Sequence, residues 1–170
     1  IEDDQDLLTV LAKRLSAPSK TQLLAAEKTG ALVTQLSERN PLVRAEFSSF
    51  ASEIDDSALS AFGNIKNNIS HLDLSRTQIT DTALKTAGAL PNLTWLSARN
   101  TRVGDNGLKS LSNLKHLRYL NLSGTKVTDK GTITLSQMKD LEEIYLWASE
   151  VSDKGIANLR KSLPEAKILY

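Results

Sequence analysis

The chain contains two histidines, His71 and His116, and no cysteine. Disulfides, thiolate metal sites, a CxxCH haem attachment and a cysteine nucleophile are therefore excluded. On a strand, His71 and Asp73 would project from one face about 7 Å apart. Such a pair becomes an active site only with a nucleophile and an enclosing pocket, and the sequence supplies neither. His116 falls in a loop before a strand, with no carboxylates at metal-ligand spacing around it. Hydroxyls recur at Thr77, Thr101, Thr125 and Ser149, but no His, Lys or acid recurs beside them to activate an oxygen. These residues predict no catalytic site, no metal, no cofactor and no enzyme.

The chemistry left is recognition. The chain has only two Trp, three Tyr and three Phe, and four of these eight, Trp95, Tyr119, Tyr145 and Trp147, fall at or just after the outward-facing strand positions of a repeating pattern. The same strands carry His71, Asp73, Ser97, Arg99, Asn121 and Glu143, with Ser75 and Ser123 alongside and Arg44 and Glu46 as a backward extension. Aromatics interspersed with Arg and Asp on an exposed sheet suit a protein or peptide partner, because such anchors dominate interface energy. The same rings could instead stack across adjacent strands and stabilise the sheet by about 0.2–1 kcal/mol per pair. A glycan surface would also use a Trp and Tyr stripe.

The elements that must hold these residues repeat every 24 residues, in segments opening at Ile69, Leu93, Leu117 and Leu141. Apolar positions fall at Ile69, Leu72, Leu74, Ile79 and Leu84, then at Leu93, Leu96, Ala98, Val103 and Leu108, and onward through the last copy at Leu141, Ile144, Leu146, Val151 and Ile156. The LxL portion has the two-residue period of a strand and the later portion has helical spacing, as at Leu108, Leu111 and Leu114. A repeat of this length on LxxLxL is the leucine-rich repeat signature; doubly wound units need about 30 residues or more. The expected fold is α/β: a right-handed solenoid with a parallel sheet on its concave face, helices on the convex face and a helical cap in front. Residues flanking the second leucine then point into the concavity.

Other columns read as structure. Thr80, Thr128 and Ser152 precede Asp81, Asp129 and Asp153, a hydroxyl N-cap followed by an acid in the first turn. Gly104 replaces the hydroxyl in one repeat, where Asp105 is expected to cap instead. Ala83, Gly107, Gly131 and Gly155 let each helix start approach its neighbour closely, and the Thr77 column is expected to satisfy inward backbone groups where the chain leaves the strand. Ala98, standing where other repeats have Leu, leaves a volume that neighbours must fill.

Upstream, Leu7, Leu8, Leu11 and Leu15 form one helical stripe behind Glu2, Asp3 and Asp4. Ser19 and Gln22 read as a capping box, and Gly30 is placed to end that second helix. Ala31–Leu36 could be a strand. Leu42, Ala45 and Phe47 occupy LxxLxL positions, and IDDSAL at Ile54–Leu59 matches ITDTAL at Ile79–Leu84. The domain reading is thus a cap over 1–41 and a solenoid over 42–170, with one degenerate repeat at 42–68 and four repeats at 69–170, forming a single structural domain.

With 21 basic and 20 acidic residues, the chain has no basic footprint for nucleic acid or an anionic membrane. No apolar run approaches the roughly 18 residues of a membrane span. Opening on Ile1 rather than Met predicts an excised piece of a longer protein.

The segment Ile69–Ile156 resembles the leucine-rich repeat subclass with a T-x-V/I-T/S-D-x-G-L signature. More narrowly, the NPLVRAEF run, the TQITDTAL and TKVTDKG turns and IYLWASEVSDKGIANLRKSLPEAK resemble the C-terminal tail of bacterial membrane-anchored proteins that also carry a c-type cytochrome domain, the planctomycete type. That resemblance implies a periplasmic or exported module at the end of a larger redox or envelope protein, with the haem motif outside this chain. The function expected is a non-catalytic module binding a protein, a peptide or another domain of its own polypeptide; the alternatives are a structural spacer or cap, and a glycan-binding surface.

Overall fold

The computed structural model describes residues 2–38, 40–47 and 51–170. Two helices lead in, α1 (Glu2–Ala12) and α2 (Lys20–Glu27). The capping box at the start of α2 is reciprocal: Ser19 N–H donates to Gln22 Oε1 at 2.8 Å, and Gln22 N–H donates to Ser19 Oγ at 3.3 Å. Gly30 follows at φ 88°, left-handed backbone that glycine adopts without a Cβ penalty. The helix stops before Leu15, the last residue of the expected stripe, and Leu7, Leu8, Leu11 and Leu15 are only half-buried.

The seven-stranded sheet runs in sequence order. The first strand, β1 (Leu32–Gln35), lies antiparallel against β2 (Val43–Glu46). From β2 onward every pairing is parallel, through β3 (Ile69–Asp73), β4 (Trp95–Ser97), β5 (Tyr119–Asn121), β6 (Glu143–Tyr145) and β7 (Lys167–Leu169). Returning segments on the other face are a 3-10 helix at Asp56–Ile65, then α3 (Asp81–Ala87), α4 (Asp105–Leu108), α5 (Asp129–Leu135) and α6 (Asp153–Ser162). A coil this short leaves room for strands of three to five residues. Ala45, Leu72, Leu96, Leu120 and Ile144 lie side by side in register and are 0% exposed. Each large side chain buried there stabilises the fold by about 1.5–3 kcal/mol. Ala98 is also 0% exposed within that core.

In the segment from Leu42, Leu42, Ala45 and Phe47 are buried and β2 joins the parallel stack, while the return over Asp56–Ile65 winds as a 3-10 helix. The strand β7 was not expected from the sequence. Its position follows from Glu143 by the same 24 residues that relate the other strands, but Glu165 stands where the LxxLxL pattern wants leucine.

The hydroxyl column works within each repeat. Thr77, Thr101, Thr125 and Ser149 each donate from Oγ to the carbonyl three residues back, at 2.6, 2.7, 2.6 and 2.8 Å. The N-caps stand as expected, with Thr80, Thr128 and Ser152 accepting helix amides and Asp81, Asp129 and Asp153 in the first turns; the aspartate column also works between repeats. Asp56 accepts from the N–H and hydroxyl of Thr80 at 2.7 and 2.6 Å; Asp105 does the same for Thr128 at 2.8 and 2.7 Å, and Asp129 for Ser152 at 2.8 and 2.7 Å. Asp81 accepts from Gly104 N–H at 2.7 Å. Gly104 has no side-chain cap, so Asp105 does not replace the missing hydroxyl; its carboxylate reaches forward to the next turn of the coil. This is why the helix starts are small: a Cβ on Gly131 would sit 2.5 Å from Asp105 Oδ1, and one on Gly155 would sit 2.3 Å from Asp129 Oδ1.

Candidate functional site

Parallel register sorts the open face of the sheet into two rows. One row reads Arg44, His71, Trp95, Tyr119, Glu143 and Lys167; the other reads Glu46, Asp73, Ser97, Asn121, Tyr145 and Leu169. All the strand positions expected to face the concavity thus share one face. Partners in a row are a strand spacing apart, about 4.8 Å, which is the contact distance of stacked rings.

The rings use it. His71 stacks on Trp95 at 6.2 Å between centroids, Trp95 on Tyr119 at 4.7 Å with planes 10° apart, and Tyr119 meets Tyr145 at 5.1 Å and 40°. The stack changes rows at its end because Glu143 takes the ring's place in β6, so Tyr119 reaches diagonally to Tyr145. Trp147, expected to belong to the same stripe, lies beyond the strand at 60% exposure and is not in the stack. The rings stand face to face, so their edges meet the solvent.

Polar groups lock this geometry. Tyr145 donates its hydroxyl proton to Glu143 Oε2 at 2.8 Å, and Lys167 pairs with the other oxygen at 3.6 Å. The hydrogen bond to Glu143, then burial, push the Tyr145 phenol up to about 12. Burial likewise raises the Tyr119 phenol; Glu143 and Asp73 add to this and the Asn121 amide opposes it. Asp73 and Asn121 each accept a backbone N–H from the residue two ahead, Ser75 at 2.9 Å and Ser123 at 3.0 Å, which fixes both side chains at the strand exit. Ser97, nearly buried, shares a hydrogen bond of 2.8 Å with Ser75.

Over β2 to β5 the face dips into a cleft of about 330 Å³. Eight of the expected residues line it: Glu46, Asp73, Ser75, Trp95, Ser97, Arg99, Tyr119 and Asn121. His71, Glu143, Tyr145 and Trp147 lie outside. Sequence reasoning had not included Phe47 and Arg76, which line the cleft with Glu46 and Ser75. Phe47 reads as core and is 3% exposed, packed on Phe62 at 6.1 Å. Arg76 sits at φ 64° in a column with Asn100, Gly124 and Ala148, all left-handed. Gly124 and Asn100, residue types that favour this conformation, were the available signal for a turn that swings Arg76 over the cleft.

Among the described residues no three His, Asp or Glu lie together as a metal site. His71 Nδ1 is 3.0 Å from Ser70 Oγ. His116 lies away from the cleft, near Leu11 and Arg14 of the leading segment, and burial, then Arg118, hold its imidazole below the usual value.

The family model described as Leucine Rich repeat matches residues 66–86 and 113–136, the stretches carrying the strand, hydroxyl and aspartate columns. This is a leucine-rich repeat fold. Among solved structures, a leucine-rich repeat protein of Leptospira interrogans is similar at TM-score 0.51 and 27% identity, over 63% of this chain and 27% of that one. An internalin C2 of Listeria monocytogenes is similar at TM-score 0.46 and 28% identity, over 64% of this chain and 55% of that one. The leucine-rich repeat chain described here thus spans about a quarter of the Leptospira protein's length. No protein of curated function matches it in sequence. No helix among the described residues is long and apolar enough to cross a membrane.

Proposed function

We propose that this leucine-rich repeat unit is a non-catalytic interaction module that takes a protein or peptide partner on the open face of its sheet. The supporting observation is the cleft over β2–β5, where two aromatic edges, two serine hydroxyls and four charged side chains converge on rigid strands. Recognition by rigid aromatic anchors with polar groups around them has the form of a protein interface. The fold itself is a scaffold, and nothing in the cleft assembles a nucleophile with a base. A glycan platform fits less well, because ring faces at 4.7 Å cover each other rather than lying open to a sugar.

The spacer reading draws on the same stack, since an aromatic pair is worth about 0.5–1.5 kcal/mol beyond burial. Replacing Trp95 and Tyr119 together by alanine separates the two readings. As a binding surface, the double variant loses capture of its partner from envelope extract and melts only a few degrees lower. If capture is unchanged, or the variant is unfolded by circular dichroism, the rings serve the sheet.

On the resemblance of NPLVRAEF and the terminal IYLWASEVSDKGIANLRKSLPEAK stretch to cytochrome-linked envelope proteins, we also propose an exported, periplasmic setting with another domain of the same polypeptide as one candidate partner. Fractionation of the native host with haem staining tests it, and a cytosolic protein without haem would end it.

A further inference from the structure

Resting on the interface reading, the geometry points to the chemistry of the partner: we infer that the cleft receives an extended segment whose Asp or Glu side chain seats between Arg76 and Arg99. Both arginines line the cleft from the ends of adjacent strands, and the backbone N–H of Arg76 donates to the carbonyl of Arg99 at 2.8 Å, which holds the two side chains in neighbouring coils. Among the described residues no carboxylate lies within 4.0 Å of either guanidinium, and the ion pairs formed among them belong to Arg118 and Lys167. Of the two acids that line the same cleft, Glu46 and Asp73, Asp73 accepts the Ser75 amide. Between the arginines and the rings lie Ser75 and Ser97, whose hydroxyls bond each other at 2.8 Å and can rotate to donate to an incoming oxygen.

A carboxylate here would meet two planar cations and hydroxyl donors, the arrangement that gives short, charge-assisted hydrogen bonds. Beside it, the edges of Trp95 and Tyr119 offer apolar contact to the flanking residues of the segment. Cleft charges balance, Glu46 and Asp73 against Arg76 and Arg99, so the segment best suited also carries a basic or amide group two or so residues away. The site therefore selects a pattern rather than bulk negative charge, and this separates it from a polyanion surface.

Peptides displayed through their C-terminal end, and hence without a free terminal carboxylate, can be selected on the intact chain immobilised through its Tyr170 end. The expected outcome is enrichment of sequences with one Asp or Glu beside an apolar residue. The best such peptide, made synthetically, should bind about tenfold more weakly to Arg99→Gln and to Arg76→Gln. Changing its acid to the amide should cost a similar factor and abolish the further effect of the Arg variants, as a charge pair requires. Lys154→Gln on the helical side should bind as wild type. If binders depend on Trp95 but ignore both arginines, the interface reading stands and the carboxylate inference falls. Selection of no binder, or binding insensitive to Trp95 and to the arginines alike, overturns both. Affinity that needs a free C-terminal carboxylate, tested against the C-terminal amide, overturns the side-chain source.

Discussion

The phenol of Tyr145 reports on the locked end of the ring stack. Its folded-state value is raised from 10.0 to about 12, chiefly by donating to Glu143. Because the folded value is the higher one, the stabilisation is fully present below pH 10 and is lost as pH rises toward 12. Phenolate absorbance should therefore include a step near pH 12 that belongs to Tyr145, and Tyr145→Phe should remove that step and flatten the alkaline fall in stability over the same range. If the wild-type tyrosines all titrate near 10, the hydrogen bond to Glu143 does not persist in solution. At this scale the sequence was informative about which face a side chain takes, since alternation on a strand decides it. It did not show that Trp147 stands apart from the stack, nor that Arg76 leans over the cleft. Both depend on the left-handed residue that ends each strand, and three of its four occupants are not glycine.

At the scale of the element, the starts of α3, α4, α5 and α6 each depend on a carboxylate from the coil before. Asp105→Ala strips two hydrogen bonds from Thr128, and chemical denaturation should register about 1–3 kcal/mol of lost stability. Asp153 occupies the same place in α6 but, among the described residues, no backbone N–H or hydroxyl donates to it. Asp153→Ala should therefore lose only the small helix-dipole contribution; equal losses for the two variants would sink the idea of bonding between coils. Gly131→Ala, whose Cβ meets Asp105 at 2.5 Å and Val127 at 2.7 Å, should cost about 1–3 kcal/mol. Gly63→Ala, with nothing within 4 Å, should be neutral or stabilising by up to about 1 kcal/mol. The columns of Asp and small residues were plain in the sequence and their mutual contact was not. An acid at the first turn can serve its own amides or those of a neighbouring coil, and a one-dimensional pattern carries no distance between coils. Caps whose partner lies three residues away, such as Ser19 and Gln22, were readable because both halves fall within one helical turn.

For the whole molecule, the 24-residue period was enough to give the sheet order, because stacked units contact chiefly their neighbours and so cannot be permuted. The front edge was harder to read: β1, which lies ahead of the repeats, turns back antiparallel and closes the open side of β2. The rear edge carries its own protection, with Arg160 donating to the Ile168 carbonyl at 3.2 Å and lying over the Tyr170 ring at 4.9 Å. Between these edges the forward reach of Asp56, Asp81, Asp105 and Asp129 gives the solenoid a direction. Trimming residues from the carboxyl side frees a carboxylate, which water solvates readily. Trimming from the amino side takes away the carboxylate that accepts the N-cap amide of the next helix. A ribosome makes the chain in the tolerant order, so every acceptor is in place before its donors emerge. Nested deletions assayed by protease resistance should accordingly lose protection gradually from one side and abruptly from the other.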